Sequence, residues 1–330
     1  MCGICGVLTS SMTPVKMDIF RHLMVINTLR GKDGGGLISV PKDKSGKTKV
    51  FRTNETTAAD MMYDSAVSQY FSKKEHLPSC IVGHARFPTS GGNALEDCHP
   101  FIGSHTIGVH NGTLETVNGT PITKKDHDSK LLFRALDASR QPERVLADTK
   151  GPMALVWVNK QTQRLWFFRN KDRPLHLAMV EGDPETLFWS SEADGLAYVL
   201  KRKVNSKVRI LSLEPNKLVS FPLRPVKNVE MDTTILVPEV ARSSVFTTKD
   251  AAVTEDALLT ILQTGCSNCI QPASFDDYKS GKIVFFKANE FMCETCLSYD
   301  ITARRECVDN NVDVTRIPFI GGSKPEHTTH

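Results

Sequence analysis

Along the first two-thirds of the chain, β-rich runs arrive in consecutive groups and do not alternate regularly with helices, and this grouping limits the fold more than any other feature. Strands are expected at 3–9, 36–41, 48–53, 80–87, 105–111, 152–159, 164–169, 176–181, 186–190, 207–213 and 217–222. Helices are expected at 17–29, 58–72, 126–139 and 192–200. A regular β-α-β rhythm would build a parallel sheet, whereas runs of strands favour antiparallel sheets covered by helices. The class read from this pattern is therefore α+β, in layers. With 330 residues and 40% hydrophobic content, the chain can bury one large core and carry an appendage.

The texture changes near residue 224, where a stretch containing Pro, Val and Thr leads to a helix expected at 252–264. Residues 224–251 read as a linker, 252–310 as a second small unit, and 311–330 as a loose tail. A net charge of +4 with the signs mixed makes no electrostatic case for nucleic acid, and that partner stays open. No apolar run approaches the roughly 20 residues a bilayer requires, and the start lacks the pattern of a signal peptide, so no membrane contact and a cytoplasmic location are expected. Nine cysteines, four of them in two C-x-x-C pairs, fit thiols and metal better than a disulfide framework.

Cys2 opens the run Cys2-Gly3-Ile4-Cys5-Gly6, which continues as an apolar strand. Removal of Met1 would leave a cysteine carrying its own free amine, with a pKa of about 7.7–8.0. One residue would then hold both nucleophile and base, directly or through a water. Taken alone, Cys2 reads more readily as a small buried residue at a strand start than as a nucleophile.

Four segments, the opening one included, change that balance. The opening Met1-Cys2-Gly3-Ile4-Cys5-Gly6, the turn Arg30-Gly31-Lys32-Asp33-Gly34-Gly35-Gly36, the segment Gly83-His84-Ala85-Arg86-Phe87-Pro88-Thr89-Ser90-Gly91 and the element His110-Asn111-Gly112-Thr113-Leu114 resemble, in order, the motifs of class II glutamine amidotransferases. The likeness continues more weakly through Arg169 to Leu175 and Ser190-Ser191-Glu192, covering roughly residues 2–222. It implies a four-layer α/β/β/α N-terminal nucleophile hydrolase sandwich over 2–223. It also implies hydrolysis of L-glutamine to glutamate and ammonia through a γ-glutamyl thioester on Cys2, with no organic cofactor.

The resemblance assigns roles by position. Cys2 would attack, Asn111 and Gly112 would form the oxyanion hole, and Arg86 would clamp the substrate α-carboxylate, as a planar guanidinium does bidentately. Thr89 and Phe87 would line the substrate. Asp128 would bind the α-ammonium, with Asp126 competing for the role and both able to cap the expected 126–139 helix. Arg30 would brace the pocket, as would His99 unless it is simply a satisfied structural histidine. Gly34 and Gly35 depart from the family's small Ser and Ala, Thr116 from an Asn, and Lys130 from an acid that often follows the aspartate.

Cys266-Ser267-Asn268-Cys269 and Cys293-Glu294-Thr295-Cys296 have the spacing of a two-knuckle zinc ribbon, with an apolar strand at 283–286 between them. Four cysteines would close the tetrahedron, which makes the zinc structural; two dithiol redox motifs or free buried cysteines are the alternatives. Cys307 has no assigned role. The stretch after 240 is too short for the acceptor-binding domains that many class II relatives carry, so a separate synthetase subunit is expected to receive the ammonia. Two other readings stand beside this one: a γ-glutamyl hydrolase or transferase acting on a modified glutamyl compound, and a zinc-ribbon binding protein on a degenerate scaffold.

Overall fold

The computed structural model describes residues 2–43, 46–88, 92, 94–123, 126–225, 228–231 and 233–237, together with 262–263, 266, 272–274, 276–277, 283–287 and 290–293. The chain divides into two compact units, Met1–Val240 and Ala241–His330.

In the first unit β1 (Gly3–Thr9) leads into α1 (Pro14–Thr28), whose start is fixed by Pro14 in the first turn and by the Thr13 side chain, which accepts from Lys16 N. A hairpin of β2 (Gly35–Pro41) and β3 (Lys49–Thr53) follows, then α2 (Ala58–Met61), α3 (Ser65–Ser72) and β4 (Pro78–Ala85). The single helix expected over 58–72 is therefore two. Asp64 interrupts it by accepting from Ala66 N at 2.8 Å and Val67 N at 3.4 Å, a cap that competes with continuing the helix.

Next come β5 (Phe101–Ile102), β6 (Thr106–Gly112), the small hairpin β7 (Thr116–Val117) and β8 (Thr120–Pro121), α4 (Asp128–Ala138) and α5 (Pro142–Ala147). The unit is completed by β9 (Met153–Asn159), β10 (Arg164–Arg169), β11 (His176–Val180), β12 (Asp183–Ser190), α6 (Ala193–Lys203), β13 (Val208–Ser212), β14 (Lys217–Pro222) and β15 (Thr233–Leu236). The last strand corrects the linker reading of 224–251. It pairs with β14, Lys217 opposite Leu236, while Val229 and Val237 are buried in the core.

Two antiparallel sheets carry the fold. One has the strand order β13-β11-β12-β1-β4-β2-β3 and the other β15-β14-β10-β9-β6-β5. Alternation along each strand sorts residues into layers. Ile4 and Leu8 of β1, Val82 of β4, Val109 of β6 and Val156 of β9 meet in the core between the sheets. Cys5 and Val7 face the opposite way and pack with Phe20 and Leu23 of α1 and Leu196 and Leu200 of α6. On the far side of the second sheet, Leu155 and Trp157 pack with Leu132, Phe133 and Leu136 of α4 and Val145 of α5. The result is a mixed α/β layering of helix, sheet, sheet and helix, and among the described residues no helix is long and apolar enough to cross a membrane.

In the second unit, β16 (Ile283–Lys287) and β17 (Glu290–Cys293) form an antiparallel hairpin, with Ile283 opposite Cys293. The helix expected at 252–264 falls almost wholly outside the described residues.

Candidate active site

Cys2 sits half-buried one residue before β1, and the β1/β4 register pairs Gly3 with Ala85, which puts Arg86 and Phe87 beside it. The Phe87 N–H donates to Cys2 Sγ at 3.3 Å, and the sulfur lies 3.4 Å from Phe87 O. Arg30 Nε donates to the Cys2 carbonyl at 2.9 Å, and its Nη1 pairs with Glu192 Oε1. Ser191 Oγ accepts from Ile4 N at 2.9 Å while Ser191 N donates to Ile4 O at 2.8 Å. The start of the strand is thus held from three directions. Burial pushes the Cys2 thiol above its ordinary value, opposed by the Phe87 N–H, the nearby amino-terminal charge and the guanidiniums of Arg86 and Arg30.

The turn at 30–34 wraps the backbone of Arg86. Asp33 N donates to Arg86 O and Arg86 N to Gly34 O, both at 3.0 Å. A Cβ on Gly31 would lie 2.4 Å from the Arg86 carbonyl carbon, so only glycine allows this approach. Arg86 itself is buried, and its Nη2 donates to Gly92 O at 2.6 Å. Phe87 touches the sulfur through its backbone, and the residue is 45% exposed. Thr89 lies outside the described residues.

Asn111 and Gly112 end β6 in the facing sheet. A hydrogen bond from His84 Nε2 in β4 to His110 O, at 3.1 Å, joins the sheets directly behind them. The Asn111 side chain is buried, and its amide nitrogen has no hydrogen-bond partner among the described residues. Such a buried donor is costly unless a ligand takes it. At Gly112 a Cβ would stand 1.8 Å from Pro152 O, so the bend after Asn111 requires glycine.

Asp128 is buried in the first turn of α4, with Oδ2 accepting from Leu114 N at 3.0 Å and Oδ1 from Ser129 N at 2.7 Å. Ser129 Oγ lies 2.9 Å from His110 Nδ1, so α4 is tied to the Asn111 turn at both residues. Asp126 is not the helix cap: its carboxylate accepts from Thr123 N and Oγ, closing a separate turn ahead of α4, and His127 precedes the helix instead. His99 is buried with its ring 4.0 Å from that of His84 and 4.6 Å from Phe101. Burial pushes His84 down to about 3 and drives His99 and His110 below their ordinary values, so this imidazole cluster is uncharged.

Sequence reasoning gave no role to His84, His110 and Ser129, although all three lie in or beside the quoted motifs. Glu192 was noted only as part of a weak likeness. Their partners come from the opposite sheet or a distant loop, which no local spacing reports. In the second unit Cys266 is buried, Cys293 ends β17, and Cys269 and Cys296 lie outside the described residues. Among the described residues no group of three or more His, Cys, Asp or Glu is placed to hold a metal.

No protein-family model matches the chain. Amidophosphoribosyltransferase of Haemophilus influenzae is 25% identical over 181 residues, which is 50% of this chain and 32% of that protein. Glutamine--fructose-6-phosphate aminotransferase [isomerizing] of Brucella abortus is 25% identical over 215 residues, 60% of this chain and 32% of its own. The chain thus spans about a third of the length of these relatives. A solved structure described as the allosteric regulatory enzyme of purine biosynthesis superposes on 70% of this chain and 48% of its own, with a TM-score of 0.52 at 16% identity, a likeness of fold. These relatives are class II glutamine amidotransferases, and the chain is similar to them in sequence over half or more of its length.

Proposed function

We propose that the first unit hydrolyses L-glutamine to glutamate and ammonia, with Cys2 as the nucleophile, and that the ammonia passes to an acceptor bound by a separate synthetase. The observation that carries this reading is the buried amide nitrogen of Asn111, unsatisfied among the described residues and set at the end of β6, in the sheet packed against the one that Cys2 leads into. An oxyanion forming on the substrate amide carbon would take that donor, with the Gly112 N–H as the second. The thiolate adds to the amide carbon, the leaving ammonia takes a proton, and water then cleaves the γ-glutamyl thioester to release glutamate and restore the thiol. The α-amine of a Cys2 exposed by removal of Met1 would serve as the base. Arg86 and Asp128, both buried and of opposite sign, suit the carboxylate and ammonium of the amino-acid end. Zn²⁺ held by Cys266, Cys269, Cys293 and Cys296 is our reading of the second unit. It rests on the paired C-x-x-C spacing and on a hairpin that ends at the third of these cysteines.

The deciding experiment measures glutamate release by the purified full chain, alone and with co-purifying proteins. Cys2→Ala and Cys2→Ser should both abolish it with the fold intact, serine being the poorer nucleophile against so weak a base. A variant whose Cys2 is replaced and which still turns glutamine over would end the proposal.

A further inference from the structure

We infer that Asp97 and Lys130 form a strut that sets the separation of Arg86 and Asp128, and with it the fit of the amino-acid end of the substrate. This rests on the glutaminase reading above. Four links run between the two charged groups. Arg86 Nη2 donates to Gly92 O at 2.6 Å. The Cα of Gly92 lies so close to Asp97 that a Cβ there would be 2.8 Å from Asp97 Oδ2. The other carboxylate oxygen, Oδ1, accepts from Lys130 Nζ at 2.7 Å. Lys130 stands two residues after Asp128, in the opening turn of α4.

Further contacts tighten the arrangement. The His127 ring, from the residue before Asp128, lies with Nε2 3.3 Å from Asp97 O, so side chain and backbone of Asp97 are both held by the start of α4. The Asp97 carboxyl is kept below its ordinary value, first by the Lys130 ammonium. The Asp97 side chain is only 13% exposed and that of Lys130 37%, so the pair is partly shielded from solvent. Asp97 belongs to the segment between β4 and β5, which carries Arg86 at one end. Asp97 and Lys130 touch no reacting atom in this scheme, so they are positioning residues.

The effect should fall on substrate binding and spare the chemical step, because Cys2 and Asn111 are fixed by other contacts. Lys130→Met and Asp97→Asn should each raise the KM for L-glutamine about tenfold with kcat within about twofold of wild type. Lys130→Arg should keep most of the affinity, and the exchanged pair Asp97→Lys with Lys130→Asp should recover part of it. Tryptophan fluorescence in denaturant checks that each variant is folded; if Lys130→Met is not, Lys130→Gln replaces it. KM values within twofold of wild type in both single variants, or a kcat that falls as far as KM rises, would overturn the strut while leaving the glutaminase reading intact. Should the wild type release no glutamate, that reading fails by itself. The strut is then judged by calorimetric binding of L-glutamine to the Cys2→Ala protein. Weaker binding in its Lys130→Met version supports the strut; equal or absent binding overturns it.

Discussion

Mild acid should loosen the first unit well before its carboxylates begin to titrate. His84 is fully buried and held down to about 3, whereas an unfolded histidine titrates near 6.5. The unfolded state therefore binds protons that the native state refuses, and stability falls as pH drops from about 6.5 towards 3. At pH 5 the unfolded chain gains RT ln(1 + 10^1.5), about 2 kcal/mol, from this one ring. Burial depresses His99 and His110 as well, so both push in the same direction. Against a total stability of about 5–15 kcal/mol, such a loss is large. Asp97 and Asp137 have lowered values, so the stability they contribute is present above about 3.8 and disappears only below it, leaving the interval from pH 6.5 to 5 to the histidines. All three tryptophans, Trp157, Trp166 and Trp189, lie in the first unit, so their fluorescence follows that unit alone during urea unfolding. His84→Gln, which can still donate to His110 O but cannot charge, should shrink the pH 7 to pH 5 difference by about 2 kcal/mol. A wild-type protein equally stable at both values, or a His84→Gln variant retaining the whole difference, would refute the reasoning.

Asn111→Ala should lower kcat about 10²–10³-fold with a smaller change in KM, as loss of one oxyanion donor does, and Arg86→Ala should act mainly on KM; steady-state kinetics showing the reverse split would exchange their roles. Elemental analysis should find one zinc per chain, and Cys266→Ser or Cys293→Ser should release it and destabilise the second unit while glutamate release continues. Native protein without metal and with two disulfides would defeat the zinc reading.

Much of the strand pattern was visible because the strands are bounded by turn-forming residues and are rich in β-branched and aromatic side chains. In β1, however, the usual alternation of apolar and polar residues is missing: Ile4 and Leu8 face the other sheet while Cys5 and Val7 face the helices, so both sides are apolar. The sequence could therefore show a buried strand without showing which neighbour lay on which side. The break at Asp64 was missed because the hydrophobic spacing continues across it to Val67 and Phe71. Strand β15 was missed because Pro and Thr flanking a short apolar run look like linker, and only pairing with β14 completes its hydrogen bonds. At the site, the motif residues were legible as short strings. What joins them was not: the His84 to His110 bond crosses between sheets, and Asp97 meets Lys130 over 33 positions of chain.

Strand β1 occupies the middle of its sheet, with β4 on one side and β12 on the other, and Cys5 opposite both Gly83 and Ser190. The pairing of β1 cannot be completed until residues near 190 have been made, so during synthesis the Cys2 thiol stays unpositioned until β12 arrives. Once the sheet closes, opening this edge of the site means separating two central ladders, an event that costs about as much as unfolding the whole unit. Backbone amides of β1 should consequently be among the slowest to exchange with deuterated water, and partly melted forms that keep β1 paired would keep the cysteine in place.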